Sequence, residues 1–314
     1  MLSDKKKGLL GQGMLFLATL LWGTSFLILK ETIKELPMFF VIFIRFIVSG
    51  VVLGLIFIKR LKTKLTKPTF LHGVILGLFL ALAYITQTFG LEMSTPSRNA
   101  FLTSSYCVMC PFFTWMVFKR KPKSYNLISA VACIVGIGLI ALSGKNEQGA
   151  NVLLGDGLTL IAAVCFGFQI IFIEMFRQKN DDPISILFTE LITVGILFGV
   201  LCVVFEVPVN ALNATLKSEH IWKLVYLTFA CTVLPQTLQL FGQRYSSPNR
   251  AGIILSLEAV FGAAFSVALG GEKLNTPLIV GFVVVFVAIL ISELKPDFKK
   301  IFSFLFKRKN AKGK

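Results

Sequence analysis

Long uncharged apolar runs are the feature that most narrows what this chain can fold into. Runs of roughly 17–23 apolar residues recur along the sequence with almost no Asp, Glu, Lys or Arg inside them. About 20 helical residues cross a hydrocarbon layer ~30 Å thick. Composition agrees, because only 15% of the residues are charged, against about 25% in a soluble domain. The sequence therefore predicts an all-α, polytopic membrane protein.

The apolar runs predict ten transmembrane spans. A basic segment precedes the first run, but this run is longer than the apolar core of a signal peptide and ends at no small-residue cleavage site. We therefore expect it to be retained as a span. The predicted spans cover residues 9–29, 38–58, 70–91, 98–118, 126–143, 154–175, 184–205, 221–241, 251–270 and 276–292.

Two pairs of segments indicate an internal duplication. Residues 82–100 and 234–252 keep Gln, Gly, Pro and Arg in one register at an offset of 152, and residues 11–26 match 155–170 at an offset of 144. Self-similarity at a fixed spacing is typical of repeat architectures. Ten spans then divide into two copies of five. Because five is odd, the copies enter the membrane from opposite sides, which predicts inverted repeats of the kind found in secondary transporters.

The distribution of basic residues predicts the orientation. With a cytoplasmic N-terminus, the inner segments hold 24 Lys and Arg residues and the outer segments hold 7, which agrees with the positive-inside rule. We expect both termini to be cytoplasmic in the cell membrane. The basic tail is expected to lie on the anionic inner leaflet. The predicted organisation is a cytoplasmic N-terminus (1–8), a first repeat (9–143), a linker loop (144–153), a second repeat (154–292) and a basic cytoplasmic tail (293–314).

Several functional classes are disfavoured. The net charge of +16 sits in loops and the tail, so it does not indicate nucleic-acid binding. All six cysteines lie in apolar runs, where they pack as small hydrophobes. Two histidines are too few to assemble a zinc cluster, and no metal site is predicted. No GxxxxGK[ST] loop occurs, so ATP is not expected to drive the protein, and no cofactor is predicted.

Three charged residues lie well inside predicted spans, where a charge costs roughly 2.5–3.5 kcal/mol on insertion scales. Arg45 is predicted either to face a cavity and hold a substrate carboxylate, or to be a buried structural arginine tied to helix carbonyls, or to snorkel outward. Glu190 is either a proton-coupling carboxylate or a hydrogen-bonded packing group. Glu258, near mid-membrane, is predicted to line the cavity or to couple transport, with structural hydrogen bonding as the alternative. Asp156 lies at a span end, where we expect water to reach it.

Uncharged polar and aromatic residues at similar depth complete the candidate site. Tyr106 is the repeat equivalent of Glu258, and Ser256 lies beside that glutamate. Buried amides must find partners in lipid, so the repeat-matched glutamines either contact substrate or bond across helices. Trp22 is either an aromatic cavity wall or packing. The further candidates are Gln87, Gln239 and Tyr84, with Gln236, Gln169 and Thr103 at the same level.

Two segments resemble a known family. The run GQRYSSPNRAGIILSLEAVFGAAFSVALGGEKL (242–274) resembles the EamA domain of the drug/metabolite transporter superfamily, and STPSRNAFLTSSYCVMCPFF (94–113) resembles the corresponding first-half run. The resemblance implies a ten-helix carrier of amino acids, nucleotide-sugar-like compounds or other metabolites, often an exporter. The sequence departs from the pattern at Glu258-Ala259, where the family has Glu-Pro. It departs again at residues 119–122, where an expected acidic residue is missing.

Together these features predict a secondary active transporter, with export as the expected direction, working by alternating access around a midplane cavity. The expected partners are a small-molecule substrate such as an amino acid, the lipid bilayer and a candidate coupling proton. A homodimer is compatible with the sequence. The alternatives are a membrane-embedded enzyme, for which two histidines and scattered charges supply no catalytic constellation, and a membrane receptor or scaffold that does not transport.

Overall fold

The computed structural model describes residues 4–143, 150–179, 181–207, 217–245 and 248–294. Within those ranges the chain is helical and contains no strand. Parts of the predicted linker and tail (144–149 and 295–314) lie outside them. A π-helical segment (Cys202–Glu206) follows the ninth helix, and a second (Phe229–Val233) joins the tenth to the eleventh. The α-helices are α1 (Asp4–Ile33), α2 (Met38–Ile56), α3 (Ile58–Lys64), α4 (Lys67–Met93), α5 (Pro96–Ser104), α6 (Tyr106–Phe118), α7 (Ser124–Ser143), α8 (Ala150–Gln178), α9 (Pro183–Leu201), α10 (Ser218–Thr228), α11 (Leu234–Tyr245), α12 (Pro248–Ala268) and α13 (Thr276–Leu294).

The apolar helices follow the predicted spans in order. Among the described residues, seven helical stretches are long and apolar enough to cross a membrane, and three shorter apolar helices occupy the positions of predicted spans 5, 9 and 10. That all ten cross the membrane stays a prediction. Four predicted spans are not continuous α-helices. Span 2 is interrupted at Phe57, between α2 and α3, and span 4 at Ser105, between α5 and α6. Span 7 ends in the π-helical segment Cys202–Glu206, and span 8 contains the π-helical segment Phe229–Val233.

Local capping signals determine where several helices begin. Thr95 precedes Pro96 and accepts a hydrogen bond from the Arg98 amide, and Asp182 precedes Pro183 and accepts one from the Ser185 amide. A hydroxyl or carboxylate cap followed by proline is a common helix start. The N-terminus of α2 has no such cap of its own. Its Phe39 and Phe40 amides instead donate to the Glu206 carboxylate, at 2.7 and 2.8 Å, and this ties span 2 to the end of span 7.

Glycines let span 2 and span 7 pack closely, and the contacts are reciprocal. A Cβ atom built on Gly50 would lie 2.6 Å from Ile192 Cδ1, and one on Gly195 would lie 2.9 Å from the Cα of Ile47. Gly195 follows Gly50 by 145 residues, and Ile192 follows Ile47 by the same 145. In each half, the repeat-equivalent glycine therefore contacts the repeat-equivalent isoleucine of the other half.

The same reciprocity recurs at other helix pairs. A Cβ on Gly136 of span 5 would meet Val285, and one on Gly281 of span 10 would meet Ile140, where the partners again differ by 145. Span 1 meets span 8 and span 6 meets span 3 through two repeat-related glycine pairs, Gly11 with Gly242 and Gly155 with Gly90. Repeat-equivalent helices that pack antiparallel with exchanged partners are related by a half-turn. The two halves are therefore inverted relative to each other.

The two larger buried apolar clusters of the described residues draw on different spans. One is built from spans 1, 2, 3, 7 and 8 and the other mainly from spans 4, 5, 9 and 10, with one residue of span 6. Phe166 of span 6 packs against both clusters. The space between them is where a central cavity can form.

We expect alanine substitution of two neighbouring glycines in span 5 to have opposite effects on stability. A Cβ on Gly136 would lie 2.7 Å from Val285 Cγ2 and 2.9 Å from the Val285 backbone nitrogen, so Gly136→Ala overpacks this contact at a cost of about 1–3 kcal/mol. Gly138 has no described atom within 4 Å of such a Cβ, and Gly138→Ala gains about 1 kcal/mol of helix propensity. Thermal unfolding midpoints in detergent measure both. A Gly136→Ala midpoint at or above wild type would contradict the close contact.

Candidate functional site

A central cavity of about 80 Å³ lies between the two halves. At about 10–15 Å³ for each water, it has room for roughly half a dozen water molecules. Its walls combine aromatic rings with amide, hydroxyl, carboxylate and guanidinium groups. The lining residues are Trp22, Ser25, Phe26, Arg45, Leu80, Tyr84, Gln87, Thr103, Tyr106, Phe166, Gln169, Ile170, Gln236, Gln239 and Glu258.

Most of this lining consists of repeat-related residues. Of the fifteen lining residues, twelve form six pairs that the duplication superposes, at offsets of 144 or 152. Residues related by a half-turn that line one space must surround the axis of that half-turn. The cavity therefore lies on the pseudo-two-fold axis. The pairs are Trp22 with Phe166, Ser25 with Gln169, Phe26 with Ile170, Tyr84 with Gln236, Gln87 with Gln239, and Tyr106 with Glu258.

Arg45 is the cation of the cavity wall. Two of its guanidinium nitrogens are hydrogen-bonded to described residues of the protein, and the third is not. Its Nε donates to Thr232 Oγ1 at 2.5 Å, and its Nη2 donates to the Cys231 carbonyl at 3.0 Å and to the Tyr84 hydroxyl at 3.4 Å. Its Nη1 is buried and has no hydrogen-bond partner among the described residues. The cavity-facing and the structural interpretations of Arg45 each describe part of its environment, because it borders the cavity and is tied to a helix carbonyl. Snorkelling outward does not describe it, because only 1% of the residue is exposed.

The π-helical segment of span 8 supplies the groups that hold Arg45. Thr232 and Cys231 belong to this segment, and the Thr232 hydroxyl donates to the Leu227 carbonyl five residues earlier at 2.9 Å. A π-turn shifts the backbone hydrogen bonds and often occurs at functional sites. Here it presents a carbonyl and a hydroxyl to the guanidinium. The Tyr84 ring adds a cation–π contact, with its centroid 5.2 Å from Arg45 Cζ.

Glu258 is the carboxylate of the cavity wall. It lies in α12, and no hydrogen bond joins its carboxylate to any other described residue. Arg45 acts on it electrostatically, and Glu258 in turn acts on the phenols of Tyr84 and Tyr106. The cavity thus holds one cation and one carboxylate among neutral polar groups.

Two predicted site residues lie outside the lining. Glu190 is buried behind Gln169, whose Nε2 donates to Glu190 Oε1 at 2.6 Å. Glu190 therefore reaches the cavity only through that amide. Ser256 is fully buried and does not border the cavity. The other seven candidates do border it: Glu258, Arg45, Gln87, Gln239, Tyr84, Tyr106 and Trp22.

Some lining residues were not predicted, although helical spacing and the repeat give a signal for them. Ser25 and Phe26 follow Trp22 by three and four residues, which places all three on one helix face. The repeat then extends that face to Ile170. Thr232 does not line the cavity but holds Arg45; it gave no such signal, because nothing in the sequence marks the π-helical segment.

Comparison with known proteins assigns the family. The model of the EamA-like transporter family matches residues 9–142 and again residues 153–294. The chain belongs to this family. It is therefore a multi-pass membrane protein with the two-repeat EamA architecture and transporter relatives.

Relatives of this EamA-like protein carry transporter names. An uncharacterized transporter of Archaeoglobus fulgidus is 30% identical over 90% of this chain and 85% of its own length. The uncharacterized transporter YoaV of Bacillus subtilis is 21% identical over 90% of this chain and 96% of its own. A solved crystal structure superposes with a TM-score of 0.67 at 15% identity, covering 94% of this chain and 99% of that one, which shows a shared fold.

A buried ion pair of this EamA-like protein corrects one expectation from the sequence. Asp156 was expected to be reached by water, but only 4% of it is exposed. Arg98 Nη2 donates to Asp156 Oδ2, Arg98 Nε donates to Oδ1 at 3.2 Å, and the Ser94 hydroxyl donates to Oδ1 at 3.1 Å. The first-half span 4 and the second-half span 6 are thus joined at the predicted outer side.

Further polar contacts join the halves beside this ion pair. Asn99 Nδ2 donates to Thr159 Oγ1 at 2.7 Å. Glu272 Oε2 accepts from the Ser97 hydroxyl at 2.8 Å and from the Ser266 hydroxyl. The N-terminal end of span 4 is therefore bonded to span 6 and to the end of span 9 at the predicted outer side.

The predicted inner side has its own tie between the halves. Arg60 donates to Asp182 Oδ1 through Nε at 2.9 Å and Nη2 at 2.6 Å. Burial raises the pKa of Asp182, but the hydrogen bonds from Arg60 and Ser185 outweigh it and hold that pKa below its ordinary value. A carboxylate of lowered pKa keeps its charge, and with it this tie, at neutral pH. The described residues contain no cluster of His, Cys, Asp and Glu that could hold a metal ion.

We expect Asp156→Ala to destabilise the protein strongly. The substitution leaves the buried Arg98 guanidinium without its carboxylate, a change that costs about 3–5 kcal/mol. The double variant Asp156→Ala/Arg98→Met removes both charges and should recover much of the loss. Glu31→Ala is the matched control, because its pair with Lys34 is exposed and such pairs contribute about 0–1 kcal/mol. The midpoint of chemical or thermal unfolding in detergent measures the stability of all three variants. Equal midpoints for Asp156→Ala and Glu31→Ala would refute this role.

Proposed function

We propose that this protein is a secondary active transporter that moves a small metabolite by alternating access around the central cavity. The observation that carries the proposal is that six repeat-related residue pairs surround one polar cavity on the axis between inverted halves. Inverted-repeat carriers bind substrate at the midplane between their repeats. A cavity on that axis can be exposed to either side when one half rocks against the other.

A small zwitterion such as an amino acid is the proposed substrate. The buried Nη1 of Arg45 lacks a protein partner, and an arginine fork suits a carboxylate. Glu258 offers a carboxylate to a substrate ammonium group. Gln239, Gln236 and the tyrosine hydroxyls supply neutral hydrogen-bonding groups around them. The volume of about 80 Å³ favours a compact solute.

Ten membrane crossings, cytoplasmic termini and the cell membrane complete the proposal. The excess of basic residues in the inner segments supports this orientation. Export is the proposed direction of net movement, on the strength of the family resemblance. A proton is the proposed coupling ion. Glu258 is its proposed carrier because it borders the cavity, and Glu190 is the second candidate because Gln169 links it to the cavity.

Reconstitution into proteoliposomes tests the class of function. Uptake of a panel of amino acids and related metabolites would be measured with and without an imposed proton gradient. Gradient-driven accumulation of an unmodified compound supports the transporter. Chemical conversion without flux would instead indicate a membrane-embedded enzyme. Saturable binding without either would indicate a receptor or scaffold.

Replacing the Glu258 or the Glu190 carboxylate with its neutral amide should separate coupling from packing. Glu258→Gln is expected to abolish gradient-driven flux while the protein stays folded in the membrane, because the cavity loses its carboxylate. Glu190→Gln is the matched control. Its amide oxygen can still accept from Gln169 Nε2, so flux should persist if Glu190 serves packing. Proteoliposome uptake, normalised to reconstituted protein, gives the comparison. Undiminished flux in Glu258→Gln would remove this residue from the mechanism.

Cross-linking the outer side should stop transport reversibly. The Ser97 and Ser266 hydroxyls both donate to Glu272 Oε2, so cysteines at these two positions lie close together when the outer side is closed. A short, cleavable thiol cross-linker applied to Ser97→Cys/Ser266→Cys should abolish flux, and cleavage of the linker should restore it. Each single variant is the control. Normal flux in the fully cross-linked double variant would contradict alternating access at this side.

A further inference from the structure

A second concave surface lies on the lipid-facing side, between span 2 and span 8. It is a groove of about 510 Å³ with an almost wholly apolar lining. Its one polar residue, Thr237, directs its hydroxyl to the Val233 carbonyl at 2.7 Å, so the groove offers no free hydrogen-bonding group there. The lining residues are Leu53, Ile56, Phe57, Phe229, Ala230, Val233, Leu234 and Thr237.

The groove ends beside a strongly basic helix. Phe57 lies in the groove, and the next residue begins α3, whose sequence IKRLKTK carries four basic residues in seven. Leu61 is buried, whereas Lys59, Lys62 and Lys64 are exposed. A short amphipathic helix of this kind, directly after a membrane span, lies at the level of the lipid headgroups.

Three of these cations are unpaired within the described protein. Arg60 is committed to Asp182, and the neighbouring Asp181 is committed to Thr69 and His72. No described carboxylate pairs with Lys59, Lys62 or Lys64. An apolar groove that meets unpaired cations at the membrane surface is complementary to a molecule with an acyl chain and an anionic head.

We propose that this groove is a binding site for one anionic phospholipid. An acyl chain would lie along Leu53, Phe57 and the span 8 wall, and the phosphate would contact Lys59, Lys62 and Lys64. The site uses the proposed inner-leaflet orientation of α3, and it is independent of which solute the central cavity accepts.

The groove shares a wall with the central site. The π-helical segment turns Phe229, Ala230 and Val233 toward the groove. The same segment supplies the Cys231 carbonyl and the Thr232 hydroxyl that hold Arg45. An acyl chain packed in the groove therefore supports the π-helical segment that positions Arg45. Lipid binding should for this reason stabilise the folded protein.

The test uses the purified full-length chain in neutral detergent with phosphatidylglycerol or phosphatidylcholine of identical acyl chains. Native mass spectrometry counts bound lipid, and thermal unfolding measures stabilisation. We expect one retained phosphatidylglycerol and a midpoint that rises by several degrees with this lipid and not with phosphatidylcholine. Equal retention and equal shifts with the two lipids would overturn the proposal.

Two sets of variants locate the site. Lys59→Gln/Lys62→Gln/Lys64→Gln should weaken phosphatidylglycerol binding roughly hundredfold, because each basic residue near an anionic head contributes about fivefold. Lys119→Gln/Lys121→Gln/Lys123→Gln removes the same charge from a different predicted inner loop and should leave phosphatidylglycerol binding unchanged. Equal losses in both triple variants would reduce the effect to general surface charge and refute the site.

Variants that fill the groove test whether it binds the acyl chain of the lipid. Ala230→Trp should abolish lipid retention, whereas Ile134→Trp, at a lipid-facing position of α7 that is 69% exposed, should retain it. Leu234→Phe provides a milder filling if Ala230→Trp does not fold. Undiminished retention in the folded groove variants would also overturn the proposal.

Discussion

Close approach of helix backbones at glycine is the constraint on which this structure depends. In a lipid environment the hydrophobic effect does not drive helices together, so association relies on packing and polar contacts at small residues. Here Gly50 and Gly195 receive Ile192 and Ile47, while Gly136 and Gly281 approach across spans 5 and 10. Each contact is made twice, once by each half. The inversion of the repeats is therefore fixed by the same contacts that hold the halves together, and the position of the cavity follows from the inversion.

A cavity on the axis is lined by nearly equivalent walls, yet its charges are not equivalent. Gln87 and its repeat equivalent Gln239 both line the cavity, but the repeat equivalent of Tyr106 is Glu258, and Arg45 of the first half is the only cation among the described lining residues. The cation therefore comes from the first half and the carboxylate from the second, and the pseudo-two-fold axis does not relate Glu258 to another carboxylate. The ties at the ends differ as well, with a buried Arg98–Asp156 pair at the predicted outer side and the more exposed Arg60–Asp182 pair at the predicted inner side.

The order of the helices and many of the cavity residues could be predicted from the sequence, because hydropathy and internal repetition can be read from the chain alone. The helices follow the predicted spans within a few residues at most ends, and the repeat pairs Trp22/Phe166 and Gln87/Gln239 meet in one cavity. Other features depend on distant partners. Asp156 lies at the end of an apolar run, where hydropathy cannot distinguish a solvated carboxylate from one paired with Arg98, 58 residues earlier in the chain. Gly136 and Gly138 read alike in sequence, but only Gly136 faces span 10, because the direction of a side chain is set by the packing.

The environment of Arg45 connects stability with function. A guanidinium inside a span costs roughly 2.5–3.5 kcal/mol, and the protein offsets that cost by distorting span 8 so that Cys231 and Thr232 can accept its hydrogen bonds. Nη1 of Arg45 receives no such hydrogen-bond partner among the described residues, and a buried unsatisfied donor costs about 1–3 kcal/mol. A carboxylate that enters the cavity and accepts from Nη1 recovers this free energy, whereas a neutral solute of the same size recovers less. This recovery is the physical basis of the proposed preference for a substrate carboxylate. Because the same π-helical segment forms the wall of the lipid-facing groove, the packing on its outer face bears directly on how firmly that arginine is held.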